Sequence, residues 1–554
     1  MIIGIDVGGS NIDGVLIEEK NILRRIKNPV DKNNLFGSIK TVLLELISGL
    51  DTEKIQRINL STTLSTNAII ENKIEKVLTV IQEGPGMKNS FDQIPYLERL
   101  DGYVDHRGKL VKDLDLDQVE RLKAQEAYKD FSSLAIVSKF STRNPQAENA
   151  IYDRLKDHFT YISLGHSLSG RLNFPRRVYS AYLNSAVSKV FQIFGQSIRA
   201  VLEAENIKAP LYILKADGAT MTLDQAITKP IESILSGPAA SFMGISALER
   251  PRGDEIYLDI GGTTTDLFFL VDGSPLYEPL GIEIAGMKTL VKGLYSSSLG
   301  LGGDSYVQVQ DGKIQIGPQR KDKPLALGGA YLTLTDAFNV LGLASLGDLH
   351  KSWDAIKALG GQEDPKALAE KIVDQAAAMI YDHVAKDLEK INSKPLYTVR
   401  EVLENKILQP RQIKIIGGPA KALAPALEKK FGLKTLCPKD YQIANAIGAS
   451  LSKPTFEANL QADTKTGLVN IPELNLYKKI PSSFKLADGE KVIKEEMLKK
   501  AVQENIQDPQ VEILEAASFN MVDYYSFGRN IRIRAQIQGG LLYKLWKEGA
   551  EDDQ

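Results

Sequence analysis

The chain has 554 residues, 43% apolar and 25% charged, which supports several globular domains with sizeable cores. Lys plus Arg number 68 against 70 Asp plus Glu, a formal charge of −2. That balance gives no support to nucleic-acid or membrane-surface binding. A single cysteine, Cys437, excludes an internal disulfide framework and suits a reducing compartment. Its expected role is a buried or incidental thiol. The amino end enters a strand with Asp6 inside the apolar run, so no signal peptide is expected there. No stretch reaches the roughly 18 uninterrupted apolar residues of a membrane span, and a cytoplasmic location is expected. The histidines 106, 158, 166, 350 and 383 form no His-x-x-x-His pair, and no Cys-x-x-Cys occurs. A protein-only zinc site is disfavoured. Gly108-Lys109 is followed by Leu110 and Gly312-Lys313 by Ile314, so neither makes a P-loop.

In chain order, Ile2 to Val7 predicts a strand, Gly8-Gly9-Ser10-Asn11 a tight turn, and Gly14 to Ile17 a second strand. Paired glycines let backbone N–H groups approach a ligand, and successive N–H groups make an anion nest. Asp6 at the strand end would hold a phosphate's Mg²⁺ through water. Helical spacing follows over Leu35 to Leu50. The strand Arg57 to Leu60 runs into Ser61-Thr62-Thr63-Leu64-Ser65-Thr66-Asn67-Ala68. So many hydroxyls at a strand end either face a ligand or cap the helix Asn67 to Asn72. Strands are expected over Lys76 to Ile81, Ser133 to Val137 and Thr160 to Leu164. Asn144-Pro145-Gln146 opens a helix between the last two. His166 follows, with packing favoured over substrate contact.

A long helix is predicted from Phe174 to about Glu205, then a strand over Leu211 to Lys215. Ser236-Gly237-Pro238-Ala239 precedes a helix of small residues. The first turn then recurs. Asp259-Ile260-Gly261-Gly262-Thr263-Thr264-Thr265-Asp266 follows the strand Glu255 to Leu258 and precedes Leu267 to Val271. Asp6 matches Asp259, Gly8 and Gly9 match Gly261 and Gly262, and Asp13 matches Asp266. Leu299 to Ser305, with Gly302, Gly303 and Asp304, is the most glycine-dense loop, either functional or a connector. A hairpin about Asp311-Gly312 and an amphipathic helix over Ala367 to Ile391 come next. A third turn, Gly417-Gly418, lies between the strand Lys414 to Ile416 and a helix. Ala444 to Ser450 is a small-residue helix suited to tight packing across a hinge. From Pro454 onward, β-like segments at Val511 to Leu514 and Ile531 to Ile537 suggest a separate small domain, and the tail Glu551 to Gln554 is expected to be solvated.

Two phosphate hairpins followed by a strand, Gly-Gly and helix resemble the order in the actin, Hsp70 and sugar-kinase ATPases. More specifically, the chain resembles the hydantoinase A/5-oxoprolinase family, which includes the ATP-using subunits of acetone-type carboxylases. The carriers are Asp6 to Gly9, Ser61-Thr62-Thr63 with Thr66-Asn67-Ala68, Asn144-Pro145, and Ser236 to Ala239. Asp259 to Asp266, Gly302 to Ser305 and Leu334-Thr335-Asp336-Ala337 complete the set. They span roughly the first 450 residues, in the family's order. The chain departs from the family at Asn11 and Ile12, where hydroxyl or aromatic residues are usual, and at Lys321 to Leu325, where the family is Pro/Gly/Cys-rich. It is also shorter than the typical member.

The resemblance implies an α/β fold, with two actin-like, ribonuclease H-like ATPase domains flanking a nucleotide cleft. A small C-terminal α+β domain is added. The expected divisions are 1–174, 175–453 and 454–554. ATP and Mg²⁺ are the expected cofactors, with Asp6 and Asp259 orienting the metal. Gly8, Gly9, Ser10, Asn11, Gly261, Gly262, Thr263 and Thr264 line the phosphates. Gly417 and Gly418 line the adenosine, and Gly302, Gly303 and Asp304 the nucleoside or cleft wall. Thr62, Thr63 and Asn67 face the cleft as catalytic candidates. Asp13 and Asp266 could each simply cap a strand turn. The implied activity is ATP-dependent hydrolysis of a cyclic amide, hydantoin or 5-oxoproline-like, through carbonyl phosphorylation, or the equivalent step in a ketone carboxylase. A nucleotide-switched scaffold or activator and a small-molecule kinase are the alternatives. A separate hydantoinase B-type partner subunit is expected; a homo-oligomer stays open.

Overall fold

The computed structural model describes residues 1–9, 11–31, 34–310, 313–317, 321–393, 407–523 and 526–546. Ser10, the Asp311-Gly312 turn and the tail 551–554 lie outside the described residues.

Two sheets of the same design form the frame. In the first, the strands run in the order Thr220–Thr222, Leu211–Leu214, Arg57–Thr62, Ile2–Val7, Asn11–Glu18, Asn21–Pro29. The three starting at Leu211, Arg57 and Ile2 are parallel, and the strands that follow Ile2–Val7 return as antiparallel hairpins. The second sheet repeats this around Glu255–Ile260. That strand pairs antiparallel with Thr265–Val271 and parallel with Gln412–Ile416, which pairs with Lys434–Leu436. Ser296–Leu299 closes its outer side.

Both central strands are apolar on both faces because both faces are covered. Side chains alternate across a strand. Ile3, Ile5 and Val7 therefore pack with Val42, Leu43 and Leu46 of the Leu35–Ile47 helix. On the opposite face Ile2, Val15 and Ile17 meet Ala446, Ile447 and Leu451 of the Ala444–Leu451 helix. In the second sheet Ile256, Leu258 and Ile260 face the Pro365–Asn392 helix, while Tyr257 and Phe268 face Ala239, Ala240 and Phe242 of the Ser236–Leu248 helix.

These two inner helices lie against each other between the sheets. A Cβ on Gly244 would stand 2.1 Å from Ala444 O, and one on Gly448 would stand 2.1 Å from Ala240 O. Only hydrogen in place of a side chain permits that approach.

Between the Arg57–Thr62 and Leu211–Leu214 strands the chain inserts a parallel sheet, ordered Tyr161–Leu164, Ser133–Ser138, Val77–Gln82, Leu97–Arg99. The 31-residue helix Phe174–Ala204 joins the two cores. Val178, Ala181 and Leu183 pack on the inserted sheet; Phe191, Phe194 and Ile198 pack on the first. The expected division at 174 therefore falls before two strands, Leu211–Leu214 and Thr220–Thr222, that complete the first sheet.

The C-terminal region is an antiparallel sheet, ordered Leu476–Lys479, Leu468–Ile471, Glu457–Asp463, Ser526–Ile537, Val511–Asp523. The Leu486–Gln503 helix covers one face through Ile493, Met497 and Ala501. This α+β unit is pinned to the inserted domain by Arg107, whose guanidinium reaches Asp463 at 2.8 Å. Beyond its last strand the chain returns to the inner helices. Leu542 N donates to Leu451 O and Leu545 N to Ala247 O, while Trp546 Nε1 donates to Ser246 O.

Gly448→Val is expected to overpack the helix crossing at a cost of about 1–3 kcal/mol. A denaturant midpoint below that of the wild type is the expected result of an unfolding titration.

Candidate functional site

The two hairpins are built alike. Gly8 N donates to Asn11 O at 3.0 Å, and Gly261 N donates to Thr264 O at 2.8 Å. In each, the strand register sets one aspartate directly opposite another: Asp6 against Asp13, and Asp259 against Asp266. Cross-strand like charges repel, so each hairpin carries an electrostatic conflict.

Burial pushes the Asp6 carboxyl up to about 7, aided by Asp13 and Asp259 and opposed by a hydrogen bond from Ser61. Its Oδ1 is buried and has no hydrogen-bond partner. Asp13 is also raised, first by burial, but Lys27 Nζ answers it at 2.8 Å. Burial pushes Asp266 up to about 7 as well, with Asp259 adding to the effect. Asp259 accepts from Ser241 Oγ at 2.6 Å and from Asn445 Nδ2 at 3.0 Å, one donor from each inner helix. Asp259 acts electrostatically on both Asp6 and Asp13. The crossing of the inner helices thus brings two turns some 250 residues apart in sequence into one cleft.

The remaining predicted residues fall in distinct places. Gly9 and Gly418 face open space. Gly417 has φ +93°, and a Cβ there would stand 2.7 Å from Asp259 Oδ1. The third glycine turn is therefore seated on the second hairpin's aspartate. Gly303 N donates to Gly261 O and Asp304 N to Gly262 O, so this loop backs the second hairpin. A Cβ on Gly303 would also approach Pro419 Cγ at 2.9 Å; the loop wedges between the second and third turns. Thr263 is half-buried, and Thr264 and Asn11 are exposed.

Thr62 does not face the cleft. It is fully buried, its Oγ1 accepts from Leu64 N, and its carbonyl accepts from Ser236 Oγ. The turn into the helix Leu64–Ile70 claims that hydroxyl; the helix starts three residues before the expected Asn67, and its N-cap Thr63 makes no side-chain cap bond. Thr63 and Asn67 are bonded to each other at 3.2 Å, with Asn67 exposed and Thr63 Oγ1 near Val7 O. His166 is a packed residue: its Nδ1 lies 2.6 Å from the buried Glu148. Cys437 is half-buried, and burial pushes its thiol up to about 11. Sequence reasoning missed Lys27, Ser241 and Asn445. Their partners are set by strand register and helix crossing, which no local pattern encodes.

Among the described residues no group of three or more His, Cys, Asp or Glu is arranged to hold a metal ion. The orphaned Asp6 oxygen and the open Gly9 and Gly418 surfaces instead fit a cation carried in by phosphates and held by few protein oxygens. Also among the described residues, no helix is long and apolar enough to cross a membrane.

Two ribonuclease H-like sheets that present paired glycine turns across one cleft define an actin-like ATPase fold. The hydantoinase/oxoprolinase N-terminal region matches residues 2–159, and the hydantoinase/oxoprolinase model matches residues 177–458. The chain belongs to the hydantoinase/oxoprolinase family. An uncharacterized protein of Schizosaccharomyces pombe is 24% identical over 76% of this chain and 37% of its own length. 5-Oxoprolinase 1 of Arabidopsis thaliana is 24% identical over 53% of this chain and 26% of its own. The matched part thus spans little more than a third, or less, of these curated relatives. Among solved structures, nucleotide-free acetone carboxylase aligns with a TM-score of 0.72 at 14% identity, covering 100% of this chain and 89% of that one. The ATP-dependent caprolactamase of Pseudomonas jessenii aligns at 0.69 and 18% identity, covering 97% and 87%. These likenesses carry the fold.

A carboxylate whose folded pKa exceeds its unfolded value destabilises the fold as it ionises. Asp6, at about 7 against an ordinary 3.8, costs stability as pH rises from about 4 through 7. Asp6→Asn is therefore expected to raise the melting temperature of the metal-free protein at pH 8 and to leave it nearly unchanged at pH 4. Thermal scans at the two pH values check this.

Proposed function

We propose that this chain activates an unreactive carbonyl with ATP, acting on a cyclic amide of the hydantoin or 5-oxoproline kind. The observation that carries the reading is the pair of matched aspartate–glycine hairpins facing one cleft, with an orphaned buried carboxylate oxygen at Asp6. Family membership and the named activities of the relatives and of the caprolactamase support it.

The chemistry needs such a site. A lactam carbonyl is resonance-stabilised, so water attacks it slowly. In the proposed sequence the carbonyl oxygen attacks the γ-phosphorus and ADP leaves. Water then adds to the activated carbon and the ring C–N bond breaks, which leaves a free amine and an acyl phosphate; a second water hydrolyses the acyl phosphate to the acid and phosphate. ATP and water are consumed; the ring-opened acid, ADP and phosphate are released. Little covalent work falls to the protein; positioning and charge stabilisation do most of it.

The backbone N–H groups of Gly9 and Gly262 are the donors offered to the phosphates, Thr263 and Thr264 add hydroxyls, and Gly417 and Gly418 would line the adenosine. Asp6 and Asp259 would orient Mg²⁺ and its water; when bound, the ion neutralises charge on the transferring phosphoryl group. Ser241 and Asn445 fix the Asp259 carboxylate. Thr63 and Asn67 sit at the first sheet's carboxyl edge, where open α/β sheets receive ligands. A hydantoinase B-type subunit, or a further segment of a longer chain, would supply the remainder of the relatives' length.

The test is phosphate release with a panel of cyclic amides and ketones, with and without bicarbonate. Stimulation by a cyclic amide is expected, and Asp259→Asn should lower the stimulated rate by about 100-fold or more. Release stimulated only by a protein partner, or a stable phosphorylated metabolite, would overturn the reading.

A further inference from the structure

The inserted sheet is itself a small open α/β unit. Its strands are all parallel, in the order Tyr161–Leu164, Ser133–Ser138, Val77–Gln82, Leu97–Arg99. From Val77–Gln82 the chain passes to Leu97–Arg99 on one side; from Ser133–Ser138 it passes to Tyr161–Leu164 on the other. The connections therefore part between the two central strands. In open α/β sheets, the crevice outside the carboxyl ends at such a point is where ligands bind.

Connections that leave these carboxyl ends line a cavity of about 250 Å³. Arg107 to Leu110 come from the connection after Leu97–Arg99, and Arg143 and Asn144 from the one after Ser133–Ser138. The C-terminal sheet closes the cavity with Gln461, Asp463 and Asn470. Asn144 Oδ1 accepts from Gln146 N, the first residue of the helix Gln146–Leu155, so the positive end of that helix lies at the wall. Beside it, Thr142 Oγ1 is buried and has no hydrogen-bond partner.

Positive charge is left over here. Asp463 answers Arg107 at 2.8 Å and also accepts from Lys465 N and Thr466 N, so its carboxylate is fully engaged. Asp105 accepts the backbone N–H groups of Arg107 and Lys109. Arg143 gives Nε to Gln461 Oε1 at 3.1 Å and Nη1 to His106 O, which leaves Nη2 without a partner among the described residues. Burial pulls the Arg143 guanidinium below its ordinary range; Arg532 and Arg107 add to the effect, and Asp463 and Asp105 oppose it. Lys109 is exposed and forms no ion pair with a described residue. Among the charged residues that line the cavity or act on Arg143, Arg107, Lys109, Arg143 and Arg532 stand against Asp105 and Asp463, an excess of two positive charges.

We infer that this seam between the inserted and C-terminal domains binds a phosphoryl dianion through Arg143 and Lys109, either inorganic phosphate or the phosphate end of a small monoester. Two surplus charges match a dianion, and a guanidinium beside an ammonium suits its oxygens. The site shares no residue with the glycine hairpins and stands whether or not the chain uses ATP.

Calorimetry on the full chain tests this with inorganic phosphate, glycerol 3-phosphate and, as the neutral control, glycerol. Saturable binding of a phosphate, weakening as salt is added, is expected, with none for glycerol. Lys109→Gln and Arg143→Gln should each weaken it by about tenfold, the scale of one hydrogen bond to a charged group. Lys109 has no side-chain bond to lose, so its variant leaves the seam intact, and Arg143→Lys should recover part of the loss. Tighter binding of glycerol 3-phosphate assigns the site to a monoester; equal or tighter binding of inorganic phosphate assigns it to the free ion. Hydrogen exchange locates the ligand: slower exchange over 105–110 and 143–146 is expected. No saturable binding, protection confined to the two glycine hairpins, or unchanged affinity in either charge variant would overturn the assignment.

Discussion

The crossing of the Ser236–Leu248 and Ala444–Leu451 helices is the contact on which the site depends. Backbone meets backbone there because Gly244 and Gly448 carry no side chain. Each helix then packs on one sheet, and each sends one donor, Ser241 or Asn445, to the same aspartate. Side chains at the crossing would hold the sheets further apart, and the two hairpins would no longer share a field. Tight packing and electrostatics are here a single constraint.

That constraint has a cost in charge. Four aspartates sit on two hairpins in directly opposed pairs, and only Asp13 has a lysine against it, Lys27. Asp6 and Asp266 respond by holding their protons to about 7. Such a site is poorly satisfied when empty and better satisfied by a cation. Stability given up at the cleft becomes binding free energy for whatever brings positive charge. A bare triphosphate would meet repulsion from Asp6; a triphosphate carrying a divalent ion would meet attraction. On the proposed reading, the hairpin duplication would favour a metal-bound nucleotide over a bare one.

Local patterns made much of this legible. The recurrence of Asp-x-Gly-Gly 253 positions on predicts two equivalent turns, and the sheets that hold them have the same strand order. The small residues of Ala444 to Ser450 predict close helix packing, and that helix lies in the crossing. What stayed illegible depends on distance along the chain. Thr62 reads as one of several hydroxyls at a strand end, and only the fold shows that Leu64 N claims it. Lys27 looks like any surface lysine until the hairpin register lays it opposite Asp13. Leu211–Leu214 looks like the opening of a later domain, yet it completes the first sheet after an insertion of 148 residues, positions 63–210. Nearest-neighbour chemistry is written in the sequence; the partner of a buried charge is written in the topology.

The C-terminal return joins these themes. Leu542 and Leu545 donate to the last turns of the two inner helices, where carbonyls lack intrahelical partners. Trp546 adds its indole N–H to Ser246 O. The same domain is held to the inserted sheet by the Arg107–Asp463 pair. This domain therefore touches both the helix crossing and the inserted sheet. With the hairpins attached to sheets on either side of the crossing, closing the cleft requires the two helices to slide or pivot at their glycines. The return segment is bonded to both of them, so it is not tied to one sheet alone. A region whose sequence names no motif is thus tied by hydrogen bonds to both helices of the crossing.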